Sequence, residues 1–128
     1  REEAIFSQND QRVITHLASD ILAVFDGKEV WESLMNELAL LSGPVWISVD
    51  IDALDGYLVP STGTPVPGGL TWWHLESALA QIFESKNCTI LGADVVEIAP
   101  DSEGTLTPFT AAMIATRLVG GHIHRSIQ

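Results

Sequence analysis

The sequence predicts an α/β fold built on a parallel sheet. Two short apolar runs rich in β-branched residues, "VWISVDI" at 45–51 and "TILGADVVEI" at 89–98, have the length and composition of buried strands. Helical apolar periodicity precedes the first run, separates the two and follows the second. Strands separated by helices need crossover connections, and such connections build parallel sheets. The chain has 128 residues, 46% hydrophobic and 18% charged. That is the size of one domain, near the common length of roughly 100 to 150 residues, with enough apolar side chains for a core.

The elements follow in order. Val13, Ile14, Leu17, Ile21, Leu22 and Phe25 recur at helical spacing and predict a helix over 9–25, with Gly27 as its stop. Val30, Trp31, Leu34, Leu38 and Leu41 predict a second helix over 29–41, ended by "SGP". The first strand comes next, then a long loop. Thr71 can cap a helix that runs to about Lys86, with Leu75, Leu79, Ile82 and Phe83 on one face. After the second strand, Thr107-Pro108 pairs a cap with proline at the first helical position, and Gly120-Gly121 predicts the end of that helix. Two central-type parallel strands do not make a sheet alone, so the remaining strands are expected elsewhere.

Composition narrows the function. The net charge of -11 offers no basic cluster for nucleic acid or an anionic membrane surface, and it suits a cationic ligand or metal ions. The lone Cys88 excludes an internal disulfide framework and a CxxC metal site. No apolar run approaches the roughly 18 residues of a membrane span, and "REEAIFSQND" is unlike a signal peptide. The expected compartment is the cytoplasm.

The chemistry concentrates after the first strand. In open α/β sheets ligands bind beyond the carboxyl ends of the strands, where Asp50 and Asp52 stand. In extended backbone, residues two apart share a face, so both carboxylates can converge on one point. Convergence implies a bound cation or a shared proton; the alternative is a solvated pair that caps the next element. The loop "PSTGTPVPGG" at 60–69 holds three prolines and three glycines, a composition that suits either backbone close to a ligand or a plain rigid loop. Asp94 lies within the second strand, and Glu97 at its carboxyl end faces the same crevice or caps a loop. A magnesium phosphotransferase using the DxD lacks support, because no phosphate-cradling glycine loop or pocket lysine accompanies it.

Taken together, "SVDIDALD" at 48–55, "TGTPVPGGLT" at 62–71 and "ADVVEIAP" at 93–100 resemble the carboxyl-terminal half of the ureohydrolases, the arginase, agmatinase and formimidoylglutamase family, over about residues 45–121. The resemblance implies a three-layer α/β/α fold with a mostly parallel sheet and a centre of two Mn2+ ions, with Ni2+ as the alternative metal. It implies that Asp50 and Asp52 are metal ligands, one of them bridging. Such a pair of ions activates water for hydrolysis of a guanidino or amidino C–N bond, releasing urea or a similar amide. Glu97 matches the acid that receives the substrate guanidinium through two parallel hydrogen bonds. Thr64 matches a residue lining the same pocket, and Asp55 is expected to anchor the loop.

The chain departs from the family in three ways. The histidine-containing segments that carry the family's other metal ligands do not occur, and His16, His74, His122 and His124 match neither. His16 is expected on a helix flank, His74 in a first turn, and "HIH" at 122–124 in a flexible polar tail. Gly56 stands where the family usually has proline, which should loosen the loop slightly. Trp72 and Trp73 replace a usual tyrosine and arginine and are expected to pack or to contact a subunit. Residues 1–128 are therefore expected to be the carboxyl-terminal part of one ureohydrolase domain, inactive alone. The expected partners are a small guanidino substrate and either further copies in a homo-oligomer or a partner chain carrying the amino-terminal half, and only the latter would bring the missing ligands. The alternative is a non-catalytic fragment or assembly module of the same fold.

Overall fold

The computed structural model describes residues 12–100 and 104–127. Its elements are α1 (Ala18–Ile21), α2 (Gly27–Ala39), β1 (Gly43–Asp50), a 3₁₀ turn (Ile51–Ala53), α3 (Trp72–Glu84), β2 (Cys88–Val96) and α4 (Leu106–Ile127). β1 and β2 pair in parallel, with α3 as the crossover between them. The predicted order of helix, helix, strand, helix, strand, helix holds.

Alternation along β1 explains the layering. Ile47 and Val49 point into the core, while Trp46, Ser48 and Asp50 occupy the opposite, exposed face. The core joins Ile47, Val49 and Ile90 to Leu79 of α3 and to Ala111, Ile114 and Leu118 of α4. Neighbouring contacts run from α2 to α3, from α3 to α4 and from α4 to β2, so these helices form one layer. An Arg117–Glu76 ion pair at 3.0 Å ties α4 to α3. Among the described residues the other face of the sheet is uncovered, and Trp46 there is 60% exposed. No helix among them is long and apolar enough to cross a membrane.

Local signals account for α3. The Thr71 hydroxyl accepts from the His74 amide, and His74 Nδ1 accepts from the Thr71 amide, a reciprocal cap with histidine in the usual Glu position. The His74 ring also meets Trp31 of α2 edge to face, with centroids 5.0 Å apart. Trp72 is half-buried against the core, whereas Trp73 is exposed.

Several boundaries differ from the sequence reading. Of the helix predicted over 9–25, residues 9–11 lie outside the described residues, and only Ala18–Ile21 is helical in the rest. Of its apolar positions Ile21 alone is buried; Phe25 is 93% exposed, so the periodic pattern finds no surface to cover it. His16 consequently precedes the helix and bonds Glu37 Oε2 at 3.0 Å through Nε2. Gly27 opens α2 instead of closing α1. A Cβ there would strike the Ile21 carbonyl, so glycine serves close approach.

Gly120 and Gly121 do not end α4 either. Gly121 packs where a Cβ would meet the Phe83 ring, and Arg125 one turn later donates to the carbonyls of Ile82, Phe83 and Cys88. His122 and His124 are thus helical, not part of a flexible tail. Thr107, fully buried, accepts from the Ser61 amide at 2.9 Å, while the helix starts at Leu106.

Candidate active site

β1 ends at Asp50 because the chain turns there into 3₁₀ geometry. The Asp50 carboxylate accepts from the Asp52 amide at 2.9 Å and caps that turn. The extended spacing expected between the two aspartates is therefore corrected: Asp52 leaves the strand through a tight turn made by Asp50 itself. Ile51 between them is completely buried and anchors the turn to the core.

Asp52 meets the glycine-proline loop. The Thr64 hydroxyl donates to Asp52 Oδ2. Hydrogen bonds from the hydroxyls of Thr62 and Thr64 hold the Asp52 carboxyl below the usual aspartate range, outweighing the opposing effect of desolvation. Its Oδ1 is buried and accepts no hydrogen bond from any described residue. A buried carboxylate oxygen without a partner is costly, which makes it the natural place for a cation.

The loop is built to bring its tip to that point. Asp55 accepts from the amides of Tyr57 at 3.1 Å and Gly68 at 2.7 Å, and these bonds hold its carboxyl below the ordinary range. This is the anchoring role expected of it. Gly68 has φ of +86°, which only glycine adopts readily. Gly56 donates to the Val66 carbonyl at 2.9 Å, a bond that proline could not make. At the far side the Ala99 amide donates to Ser61 at 3.1 Å, and Thr110 of α4 donates to Leu58 at 3.3 Å.

Glu97 closes the cluster. It follows the last residue of β2 and has φ of +65°, a strained conformation for a side chain with a Cβ and of the kind found at functional sites. Its Oε2 lies 3.6 Å from the position a Cβ would take at Gly63. Asp50 pairs with Val96 in the sheet register, so Glu97 emerges beside the end of β1. The loop tip at 62–64 thus touches Asp52 with its hydroxyls and approaches Glu97 with its glycine. Asp50, Asp52, Thr64 and Glu97 gather at one end of the sheet.

Other groups stand apart. Among the described residues no three His, Cys, Asp or Glu side chains are arranged to hold a metal ion. A cavity of about 630 Å³ runs along β2 and α4, lined by Phe83, Ile90, Ile98 and Leu118 among others. Its lining is mostly apolar, with Asp94 and His122 as the titratable members, and includes neither Asp50 nor Asp52. Sequence reasoning missed the Thr62 hydroxyl and the bonds from Trp46 and Ser48 to Asp94. The signal for the latter was the i, i+2 spacing of Trp46, Ser48 and Asp50 on one strand face.

Comparison with known proteins gives a consistent result. The sequence profile of the arginase family matches residues 6–120. The chain is 36% identical over 90 residues to an agmatinase of Pyrococcus horikoshii, covering 70% of this chain and 31% of that protein. It is 42% identical over 82 residues to an N(1)-aminopropylagmatine ureohydrolase of Thermus thermophilus, covering 64% of this chain and 26% of that protein. The solved arginase of Bacillus subtilis superposes with a TM-score of 0.70 at 25% identity, covering 94% of this chain and 40% of that one. The chain spans 31% and 26% of the length of these two curated relatives. With its parallel strands, its helical crossover and the matched profile, this chain belongs to the arginase family.

Proposed function

We propose that this chain supplies the carboxyl-terminal part of a ureohydrolase domain, which hydrolyses a guanidino C–N bond and releases urea or a similar amide. Asp50 and Asp52 are ligands to a metal pair, Glu97 receives the guanidinium, and Thr64 lines the pocket. The observation that carries the reading is the buried, unpartnered Oδ1 of Asp52, whose other oxygen accepts from the Thr64 hydroxyl. Oxygen donors of this type suit manganese. When bound, the metal pair would supply Lewis acidity and an activated water.

The chain's own residues do the rest. The Thr64 hydroxyl holds Asp52 through Oδ2, and hydrogen bonds from Thr62 and Thr64 keep its carboxyl below the usual aspartate range. Glu97, fixed by its strained backbone beside Gly63, offers a planar acceptor to a planar cation. Two carboxylates do not complete a binuclear site, so the remaining ligands come from outside the described residues. Agmatine, aminopropylagmatine and arginine are the substrates to try, following the names of the relatives.

The test is metal content together with urea release, for this chain alone and for the chain joined to a segment that completes the family's length. Manganese and urea are expected in the joined form, and Asp50→Asn abolishes both while the fold persists. Full turnover in that variant would sink the assignment. A second reading is an assembly module without catalysis, favoured by the uncovered sheet face around Trp46. It predicts partner binding, with neither metal nor urea in the joined form.

A further inference from the structure

Asp94 is a carboxylate in the middle of β2, and both its oxygens are engaged by β1. The Ser48 hydroxyl donates to Oδ1 and the Trp46 indole Nε1–H donates to Oδ2, each at 2.6 Å. Ser48 stands directly opposite Asp94 in the ladder. Trp46 stands opposite Gly92, where a Cβ would collide with its ring. These contacts follow at once on an irregularity: Val45 pairs with Ile90 but Trp46 pairs with Gly92, leaving Leu91 as the extra residue of a bulge.

The bulge decides where the site residues meet. Without it, Trp46 would pair with Leu91 and Asp50 with Val95 in place of Val96. A one-residue slip moves a strand by about 3.3 Å and turns its side chains to the other face. Glu97 would then leave the end of β1, and Asp94 would face Ile47 and Val49 in the core. Only the bulged register satisfies Asp94 on the outer face.

We propose that Asp94 is a positioning residue: through Trp46 and Ser48 it locks the bulged register of β1 against β2, and so sets where Glu97 stands relative to Asp50 and Asp52. The consequence for catalysis rests on the ureohydrolase reading; the register lock does not.

The test compares wild type, Asp94→Leu, Asp94→Asn and Ser48→Ala. Nuclear magnetic resonance of the chain reads the cross-strand contacts between Asp50 and Val96 and the shift of the Trp46 indole proton. In Asp94→Leu the indole proton moves upfield and the Asp50–Val96 contacts weaken or pass to Val95, while contacts around Ile114 persist. Asp94→Asn, which can accept only at one atom, is intermediate, and if the leucine variant does not fold, this variant and Ser48→Ala decide. Unchanged cross-strand contacts in the altered chains overturn the lock. In the joined, catalytically complete form, Asp94→Leu lowers kcat at least tenfold with a smaller change in KM. Unchanged kcat alongside a shifted register overturns the positioning role. Absence of urea from the wild-type joined form counts against the ureohydrolase reading, and the register result stands apart from it.

Discussion

The hydroxyl of Thr64 donates from the tip of a loop to the carboxylate of Asp52, while the other oxygen of Asp52 stays buried without a partner. One side chain therefore has two unlike sides. The hydroxyl side orients it, and the bare side is what a cation would find.

Thr64→Val removes that donor and keeps the shape. The Asp52 carboxyl should then titrate closer to its ordinary value of 3.8, though not all the way, because the Thr62 hydroxyl also holds it down. Carbon-13 resonance of the Asp52 carboxyl against pH measures this. Thr64 is exposed, so the melting temperature should barely move. An unmoved titration midpoint would assign the effect to the Thr62 hydroxyl and the Thr64 backbone amide.

Acid should destabilise the chain in a defined window. Asp52, Asp55 and Asp94 all have carboxyls lowered by hydrogen bonds, Asp55 chiefly by the Tyr57 amide and Asp94 chiefly by the Ser48 hydroxyl. A folded-state pKa below the unfolded one means that the unfolded chain binds more protons as pH falls. The stabilisation is thus complete above the ordinary value near 3.8 and disappears as pH drops through the lower folded values. Urea denaturation at pH 6 and pH 3 should show the loss, and Asp55→Asn should shrink the difference between them. Equal stability at both pH values would contradict it.

The two glycines near the end of α4 should respond in opposite ways. Nothing lies within 4 Å of a Cβ at Gly120, so Gly120→Ala should stabilise by about 0.8–1 kcal/mol through helix propensity. Gly121→Val drives atoms into the Phe83 ring and should cost about 1–3 kcal/mol. If the helix instead ended at these residues, both changes would destabilise. Denaturant midpoints of the two variants separate the cases.

Arg125→Met keeps the aliphatic stem and removes the guanidinium from the carbonyls of Ile82, Phe83 and Cys88. The expected cost is on the order of 1–2 kcal/mol. Hydrogen exchange should quicken over residues 82–88 and remain slow at Ile47 and Val49. Uniform acceleration would instead mean global loosening.

Part of this was legible from residue order and part was not. That Asp50, Asp52, Thr64 and Glu97 come to one end of the sheet, with Asp55 anchoring the loop, could be anticipated because their spacing around a glycine-proline loop is long and specific. Thr71 as a cap followed from its place before an apolar helical run. The 3₁₀ turn at Ile51–Ala53 could not be read, because it depends on the Asp50 carboxylate turning back on the Asp52 amide. Gly27 and Gly121 misled for one reason: glycine marks helix ends, but it also permits two elements to touch, and sequence does not separate these uses. The apolar pattern around Phe25 shows a face suited to burial and says nothing about whether a surface meets it.

The loop between β1 and α3 has a stem and a tip that are built from different materials. Its stem is backbone clasped by Asp55, Gly56 and Gly69, while its tip presents the side chains of Thr62 and Thr64. Inheritance can therefore act on the two separately. Substitutions at the tip can change the groups that meet Asp52 while the hydrogen bonds of the stem keep the course of the loop.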